Sequence, residues 1–275
     1  MKCGIVISEN DIGNMCGLAA EAEQAGWDGI FIADALSMDL PWFDPWIAMG
    51  AMAMKTERIR IGTMIAAVPR RRPWKMAREA VTIDQISKGR LILGVGLGAA
   101  DFDGGFSKVG EPVDLKTRAE LLDEGLDIMA GLWTGKPFSF KGEHYQVDKL
   151  KMLPATVQSP RVPIWVVGVW PKEKSMRRTI KWDGVIPQKY KGTPSDIPTA
   201  DFYRPIKDYV AEHHPHPDRF DIIAGGVTPG RSKKRAIEKV RPFMEAGATW
   251  WTESDWSANM KKTLERIRQG PPRPE

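Results

Sequence analysis

Short apolar runs rich in β-branched residues alternate with amphipathic stretches along the whole chain, a pattern that predicts strands alternating with helices. The predicted strands span residues 3–8, 29–33, 58–65, 90–97, 162–167, 183–186, 221–224 and 249–252. The predicted helices span residues 14–26, 73–87, 115–132, 172–182, 201–213, 231–246 and 257–268, and another begins at Asp44-Pro45, an N-cap acid followed by a first-turn proline. Residues 138–147 add a small excursion with strand character.

Eight βα units at about 34 residues each favour a closed (β/α)8 TIM barrel, a fold that takes about 250 residues. An open doubly wound sheet is the alternative, but it seldom needs eight regular repeats. We predict one barrel domain over residues 1–268 and a flexible tail over 269–275, whose prolines cannot continue a helix. A barrel places its chemistry at the carboxyl ends of the strands. The candidates there are Ser8, Asp34, 64–66, 96–101, 168–170, Pro187, 225–226 and Glu253.

The composition argues against several classes of protein. Apolar residues make up 42% and charged residues 27%, which is ordinary globular usage and unlike disordered or fibrous chains. The longest apolar run, 47–54, is shorter than the roughly 18 residues of a membrane span. A net charge of +5 is mild and does not indicate nucleic acid. Two cysteines, Cys3 and Cys16, form no disulfide framework, so we expect a cytoplasmic protein without membrane or nucleic-acid partners.

Three motifs suggest chemistry but have simpler interpretations. Residues 94–99 match the relaxed dinucleotide pattern G-x-G-x-x-A, yet a loop and not a helix follows, so we interpret glycines 94, 96 and 98 as one strand face with space for a flat ligand. Residues 70–72, three arginines, are interpreted as the solvated start of the third helix. Residues 213–216 contain three histidines without a carboxylate or cysteine at ligand spacing, so no metal site is expected.

Nucleophilic catalysis has no support in the sequence. No G-x-S-x-G motif occurs, and neither cysteine has an identifiable partner. Most of the eleven tryptophans fit core positions, but Trp170 lies just beyond the fifth predicted strand with Gly168.

A set of ordered motifs resembles the bacterial luciferase-like flavin monooxygenase family. The motifs lie at 44–46, 55–63, Pro73, 84–98, 122–126, 132–135, 140–142, 163–168 and 182–184. They cover roughly residues 3–190, and the final third matches only in its pattern of strands and helices. The resemblance implies a (β/α)8 barrel that holds reduced FMN or, in one branch, the deazaflavin coenzyme F420.

The resemblance also implies site residues. The cofactor phosphate would bind after the fifth strand, and the flavin ring would lie against the ends of the third and fourth strands, where a cis peptide joins Met64 to Ile65. The implied cofactor residues are Ser8, Met64, Ile65, Ala66, Gly96, Gly98, Gly168, Val169, Trp170 and Ser175, with Arg177 and Arg178 as nearby cations. The residues assigned to catalysis are Asp34, Met64 and Ile65.

The implied activity is that of a monooxygenase acting on paired donors, in which reduced FMN and oxygen oxidise a small organic substrate. A separate flavin reductase and a homodimer are expected. Many family members carry Asp-His or Glu-His at the end of the second strand, whereas this chain has Asp34-Ala35. Two alternatives therefore stay open: an F420-dependent hydride transferase on the same barrel, and a flavin-binding protein with no turnover.

Overall fold

The computed structural model describes residues 1–8, 11–36, 42–100, 105–192, 196–230, 232–257 and 259–274. Asp101, one of the predicted strand-end residues, lies outside these ranges. The strands are β1 Lys2–Ile7, β2 Gly29–Ile32, β3 Arg60–Ala67, β4 Leu91–Gly96, β5 Phe138–Lys141, β6 Gln146–Leu150, β7 Ile164–Trp170, β8 Gly184–Lys189, β9 Asp221–Gly226 and β10 Trp250–Glu253. The helices are α1 Ile12–Gln24, α2 Pro45–Met54, α3 Pro73–Ile86, α4 Leu115–Trp133, α5 Glu173–Ile180, α6 Arg204–His213, α7 Lys233–Glu245 and α8 Met260–Arg268.

Within the described ranges, eight strands form a closed barrel in the order β1-β10-β9-β8-β7-β4-β3-β2. The pairs with a defined register, such as β3 with β4 and β7 with β8, are parallel. Strands β5 and β6 form a separate antiparallel hairpin between α4 and β7. The predicted (β/α)8 barrel and the extra segment near residues 138–147 are therefore confirmed, and element boundaries differ from the predicted ones by a few residues.

The start of α2 shows how local chemistry sets an element boundary. The Asp44 carboxylate accepts hydrogen bonds from the backbone N–H groups of Trp46 at 2.9 Å and Ile47 at 3.1 Å, and Pro45 occupies the first turn. These bonds satisfy N–H groups that have no partner inside the helix. The predicted Asp44-Pro45 helix start is confirmed.

By its internal contacts the chain divides into two compact units. Unit 1 contains Met1–Phe31 and Ile164–Glu275, and unit 2 contains Ile32–Pro163. An aromatic cluster lies in the core of unit 1, where the ring centroids of Trp165 and Trp250 are 5.0 Å apart and Phe31 packs against both. Such tilted and edge-on pairs stabilise a core beyond the area that they bury.

Arg90 is the polar centre of unit 2 and is only 7% exposed. Its Nη1 donates to Thr56 Oγ1 at 2.8 Å and to the Ile59 carbonyl at 2.9 Å. Its Nη2 donates to the Ala53 and Thr56 carbonyls, and its Nε donates to the Ser87 carbonyl at 2.6 Å. Arginine carries five N–H donors in a planar fork, so one side chain joins the end of α2, the start of β3 and the end of α3.

Asp84 and Glu124 fix two loops of unit 2 in a similar way. Asp84 is fully buried, and its carboxylate accepts from Val157 N at 2.6 Å and from Gln158 Nε2 at 2.8 Å. The Glu124 carboxylate accepts from the backbone N–H groups of residues 143–145 at the tip of the β5–β6 hairpin. A Cβ at Gly142 would overlap the Glu124 carboxylate, which explains the glycine there. These motif residues, which contribute to the family resemblance, therefore have structural roles.

Residues 269–274 have no helix or strand but are anchored to unit 1. Arg273 Nη2 donates to Asp28 Oδ2 at 2.7 Å and to the Gly26 carbonyl at 3.3 Å. The flexible tail that the prolines predict remains a prediction. No helix in the described part of the chain is both long enough and apolar enough to cross a membrane.

Candidate functional site

The end of β3 contains a bulge in unit 2. Thr63 lies opposite Leu93 of β4, but Ala66 lies opposite Val95, so Met64 and Ile65 of β3 stand against a single residue of β4. Thr63 and Ala66 are buried, whereas Met64 and Ile65 are half-buried. The peptide between Met64 and Ile65 is cis, which confirms the prediction made from the family resemblance. Bulges next to active sites commonly interrupt strand pairing and re-aim side chains.

Asp34 contacts the chain on the C-terminal side of this cis peptide. It lies two residues after β2, and its backbone N–H donates to the Ile65 carbonyl at 3.3 Å. Its carboxylate accepts from the Ala67 N–H, also at 3.3 Å. Asp34 therefore forms hydrogen bonds with both Ile65, the second residue of the bulge, and Ala67, the last residue of β3.

Two arginines bind the Asp34 carboxylate. Arg71 Nη2 donates to Oδ1 at 2.7 Å and Nε donates to Oδ2 at 3.0 Å, a two-bond arrangement that fixes the planes of both groups. Arg70 Nη2 lies 3.2 Å from Oδ1 and also donates to the Asp34 backbone carbonyl. The interpretation of residues 70–72 as a solvated helix start was wrong for Arg70 and Arg71, and only Arg72 is exposed. Their partner lies more than 30 positions earlier, so helical periodicity could not reveal it.

The pKa of Asp34 is lowered by this arrangement. Burial acts to raise the pKa, but the hydrogen bonds and charge of Arg71, with the charge of Arg70, outweigh it and hold the pKa below the ordinary 3.8. The carboxylate is ionised and bonded to Arg71, Arg70 and the Ala67 N–H. These contacts are typical of a carboxylate that fixes neighbouring segments in place. The assignment of Asp34 to catalysis remains a prediction.

We expect Asp34 to give a distinct pH dependence of stability. Its folded pKa is the lower one, so ionised Asp34 stabilises the fold above pH 3.8, and this contribution is lost as pH falls through the folded pKa. The difference in free energy of unfolding between wild type and Asp34→Asn should be constant above about pH 5 and shrink in more acidic solution. Urea denaturation across this range measures it, and a difference that grows on acidification would contradict the expectation.

Glycines at the end of β4 have different surroundings. Gly96 is the last residue of β4, is buried, and lies opposite Ala67. Gly98 lies beyond the strand, so the interpretation of glycines 94, 96 and 98 as one strand face was wrong for Gly98. Gly98 has φ +73°, and a Cβ there would lie 2.8 Å from the Ala67 Cβ and 2.9 Å from the Phe106 ring. The space beside Gly98 is therefore occupied by protein.

The predicted phosphate-binding segment lies at the end of β7 and the start of α5 in unit 1. Val169 N–H donates to Ser175 Oγ at 2.9 Å, so these two predicted residues lie together. Trp170 is half-buried and packs edge-on against Tyr209 at 5.7 Å. A Cβ at Gly168 would lie 2.7 Å from Val185 and 2.8 Å from Thr179, so close packing of β7 alone requires this glycine.

The basic residues near α5 lie at its two ends: Lys172 is at the start, and Arg177 and Arg178 are in the last turn. Arg177 is exposed and pairs with Glu173 of the same helix, four residues earlier. Lys172, the N-cap residue, places its ammonium 3.7 Å from the centroid of the Tyr190 ring. The first N–H groups of a helix lack intrahelical partners and favour anions, and Lys172 adds a positive charge beside them. Sequence reasoning missed Lys172, since an isolated lysine after Trp170-Pro171 has no distinguishing pattern.

Glu253, a predicted strand-end candidate, lies at the end of β10 and is 2% exposed. Its Oε1 accepts from Thr228 N at 2.6 Å, and its Oε2 accepts from Thr228 Oγ1 at 2.8 Å and from Trp251 Nε1 at 3.2 Å. Arg266 of α8 donates to the same carboxylate at 3.3 Å and to Thr228 Oγ1. Glu253 therefore joins β10, the loop after β9 and α8, beside a cavity of about 190 Å³.

The remaining predicted positions have few contacts that indicate a role. Ser8 directly follows β1, and Ala35 follows Asp34; both are half-buried. His213 and His216 are exposed at the end of α6 and beyond it. Among the described residues, no group of three or more histidine, cysteine or acidic side chains is placed to hold a metal ion.

With this geometry in place, comparison with known proteins identifies the family. The family model for luciferase-like monooxygenases matches residues 3–273. The chain belongs to the luciferase-like monooxygenase family. This confirms the family indicated by the motifs at 44–46, 84–98 and 163–168, and extends the match through the final third. Family members are oxidoreductases, and the relatives below are named for flavin or for F420.

Two curated relatives represent these two cofactor classes. The chain is 30% identical over 155 residues to the oxygenase component of flavin-dependent trigonelline monooxygenase from Acinetobacter baylyi, which covers 56% of this chain and 42% of the relative. It is 28% identical over 240 residues to F420-dependent glucose-6-phosphate dehydrogenase from Nakamurella multipartita, covering 82% of this chain and 66% of the relative. The matched regions thus span less than two thirds of either relative.

Solved structures agree with the fold. An F420-dependent secondary alcohol dehydrogenase in complex with an F420–acetone adduct superposes with a TM-score of 0.80 at 18% identity, covering 98% of both chains. The monooxygenase RslO1 from Streptomyces bottropensis superposes with a TM-score of 0.78 at 19% identity, covering 98% of this chain and 97% of the other. At such identities the likeness supports the barrel alone.

Proposed function

We propose that this chain is a flavin-dependent monooxygenase that binds reduced FMN and uses oxygen to oxidise a small organic substrate. The observation that carries the proposal is the bulge at Met64 and Ile65 in a member of the luciferase-like monooxygenase family. The bulge interrupts a buried strand at its carboxyl end, where (β/α)8 enzymes place their active sites. The trigonelline monooxygenase component, which is named as flavin-dependent, supports the choice of cofactor.

The residues of the bulge fit a flat aromatic ring. Met64 and Ile65 are apolar and half-buried, and Ala66 beside them is small and buried. Apolar side chains with partly open surfaces suit the face of an isoalloxazine, and a thioether packs well against aromatic rings. We propose that Met64, Ile65 and Ala66 contact the ring and that Gly96, opposite Ala67, leaves β4 free of a side chain there.

The start of α5 fits a phosphate. We propose that the backbone N–H groups at the start of α5, the hydroxyl of Ser175 and the ammonium of Lys172 bind the cofactor phosphate, with Val169 N–H holding the Ser175 hydroxyl in place. Backbone N–H groups at a helix start attract anions, and the ammonium of Lys172 strengthens this attraction. Glu173 lies in the same turn, but its carboxylate pairs with Arg177.

Reduced FMN, when bound, would supply the electrons for oxygen activation, and the protein would provide binding, orientation and exclusion of water. Met64 and Ile65 shield the ring from solvent. Ionised Asp34 is bonded to Arg71 and the Ala67 N–H, so we propose that it positions the bulge and does not transfer a proton. Ala35 has no titratable group, so this position provides no acid or base.

Titration of the apo-protein with FMN, riboflavin and coenzyme F420 tests the proposal. We expect FMN to bind at least about tenfold more tightly than riboflavin, because a phosphate contact at the helix start adds about 1.4 kcal/mol or more. Lys172→Met should weaken FMN binding and leave riboflavin binding unchanged. Lys181→Met, at the exposed far end of α5, is the matched control and should behave as wild type. Equal affinities for FMN and riboflavin would overturn the phosphate site.

Coenzyme F420 is the second candidate cofactor. The F420-dependent glucose-6-phosphate dehydrogenase matches 82% of this chain, a longer stretch than the flavin-dependent relative. Tighter binding of F420 than of FMN in the same titration would favour a hydride-transferring oxidoreductase. Tight FMN binding without substrate oxidation would favour the flavin-binding protein with no turnover.

The remaining partners belong to the same proposal. A separate flavin reductase is expected to supply reduced FMN, and the trigonelline relative is named as the oxygenase component of its enzyme. A homodimer and a cytoplasmic location remain predictions. The exposed side chains of Ile47 and Met54 on α2 are compatible with a subunit contact.

A further inference from the structure

We propose that Arg71 and Asp34 form a positioning pair that holds the bulge of β3 in the shape that receives the flavin ring. The inference rests on the proposed function, because it concerns how the bulge meets a bound cofactor.

Asp34, which lies in the loop after β2, forms hydrogen bonds with the two residues on either side of Ala66 in β3. Its N–H donates to the Ile65 carbonyl, and its carboxylate accepts from the Ala67 N–H. The residue between these two, Ala66, is therefore confined by bonds on both sides. A shift of the Asp34 backbone or carboxylate changes the position of Ile65 and Ala66 together.

Arg71 determines where the Asp34 carboxylate lies. The chain leaves β3 through the short 3₁₀ turn Val68–Arg70, and Arg71 N–H donates to the Val68 carbonyl at 2.9 Å. The Arg71 guanidinium then returns to Asp34 with its two parallel hydrogen bonds, and it also lies 5.6 Å from the centroid of the Trp46 ring. The segment that follows the bulge thus binds the residue that brackets the bulge.

The two parallel hydrogen bonds require a guanidinium at position 71 and a carboxylate at position 34. A lysine at position 71 has one ammonium and cannot make the two parallel bonds that fix the carboxylate plane. An asparagine at position 34 keeps one acceptor oxygen but presents an NH2 group to a guanidinium, which has no acceptor. Arg70 bonds to the Asp34 backbone carbonyl as well as to its side chain, so it retains a contact when the carboxylate is changed.

The test uses the full chain and oxidised FMN as the probe. For wild type, Arg71→Met, Arg71→Lys, Asp34→Asn and the double variant Asp34→Asn/Arg71→Met, three quantities are measured: the FMN dissociation constant, the visible absorption spectrum of bound FMN, and the thermal unfolding of the apo-protein. Arg72→Met is the matched control, because Arg72 is the exposed neighbour of Arg71.

We expect Arg71→Met and Asp34→Asn each to weaken FMN binding about tenfold or more, since small displacements of positioning groups have effects of this size or larger. The spectrum of bound FMN should move toward that of free FMN, and Arg71→Lys should lie between wild type and Arg71→Met. The double variant should lose no more than either single variant, because the two residues act as a unit. Arg72→Met should match wild type.

The possible outcomes separate this inference from the proposed function. If wild type does not bind FMN, the proposed function fails and the inference fails with it. If wild type binds FMN and Arg71→Met and Arg71→Lys bind it with unchanged affinity and spectrum, only the positioning pair is overturned. If Arg71→Met does not fold, Arg71→Lys decides: a folded lysine variant with the wild-type spectrum overturns the inference, and one with a shifted spectrum supports it.

Discussion

Replacement of Arg90 by alanine is expected to lower the free energy of unfolding by about 3–5 kcal/mol. The substitution removes donors from the carbonyls of Ala53, Thr56, Ile59 and Ser87, all of which are buried. Each buried acceptor left without a donor costs of order 1–3 kcal/mol, reduced where a carbonyl keeps a second partner. Urea or guanidinium denaturation followed by circular dichroism measures the change.

Two variants sharpen this measurement. Arg90→Lys keeps the positive charge but has three donors on one atom, so it should recover only part of the loss. Arg72→Ala is the matched control, and its exposed side chain should leave stability within about 0.5 kcal/mol of wild type. A wild-type unfolding curve for Arg90→Ala would show that the buried network contributes nothing to stability.

Replacement of Glu253 by alanine is expected to have an effect of similar size, about 3–5 kcal/mol, because it breaks a buried ion pair from one side. The variant leaves the guanidinium of Arg266 without this carboxylate and removes the acceptor of the Thr228 and Trp251 N–H groups. Because Arg266 belongs to α8, we expect hydrogen exchange to accelerate in Met260–Arg268 before the rest of the chain. Denaturation and hydrogen-exchange mass spectrometry measure the two effects.

The cavity beside Glu253 offers a matched control. Glu265 lines the same cavity on α8 but is exposed, so Glu265→Ala should change stability by less than about 0.5 kcal/mol. Glu253→Gln keeps the size of the side chain and should lie between wild type and Glu253→Ala. Equal stabilities for Glu253→Ala and Glu265→Ala would contradict a structural role for the buried carboxylate.

Local physical chemistry explains why much of the fold was predictable. The β-branched runs of β1 and β4 and the Asp44-Pro45 start of α2 are determined by residues next to each other in the chain. Eight repeats of about 34 residues then favour a barrel, because few sheet arrangements can bury eight parallel strands. The hairpin between β5 and β6 was visible only as an excursion, since its turn is held by Glu124 from another element.

The candidate site was predictable in part. The family resemblance placed the cis peptide between Met64 and Ile65, and the structure confirms it. It could not show that Asp34 forms hydrogen bonds on both sides of Ala66, or that the Lys172 ammonium lies over the Tyr190 ring. A motif reports which residue types recur together, whereas these contacts depend on where separate loops meet.

The sequence by itself determined the order of strands and helices, the barrel and the family, because each follows from short-range periodicity, capping residues and motif spacing. Only the tertiary structure decided the roles of Arg70, Arg71 and Arg90, whose hydrogen-bond acceptors lie 3 to 37 positions away in the chain. It also showed that Gly98 lies beyond the end of β4 and packs against the Phe106 ring. The physical reason is that the sequence does not show whether a charged or small residue is solvated or buried. Its contribution to the free energy of folding depends on partners that only folding brings within hydrogen-bond distance.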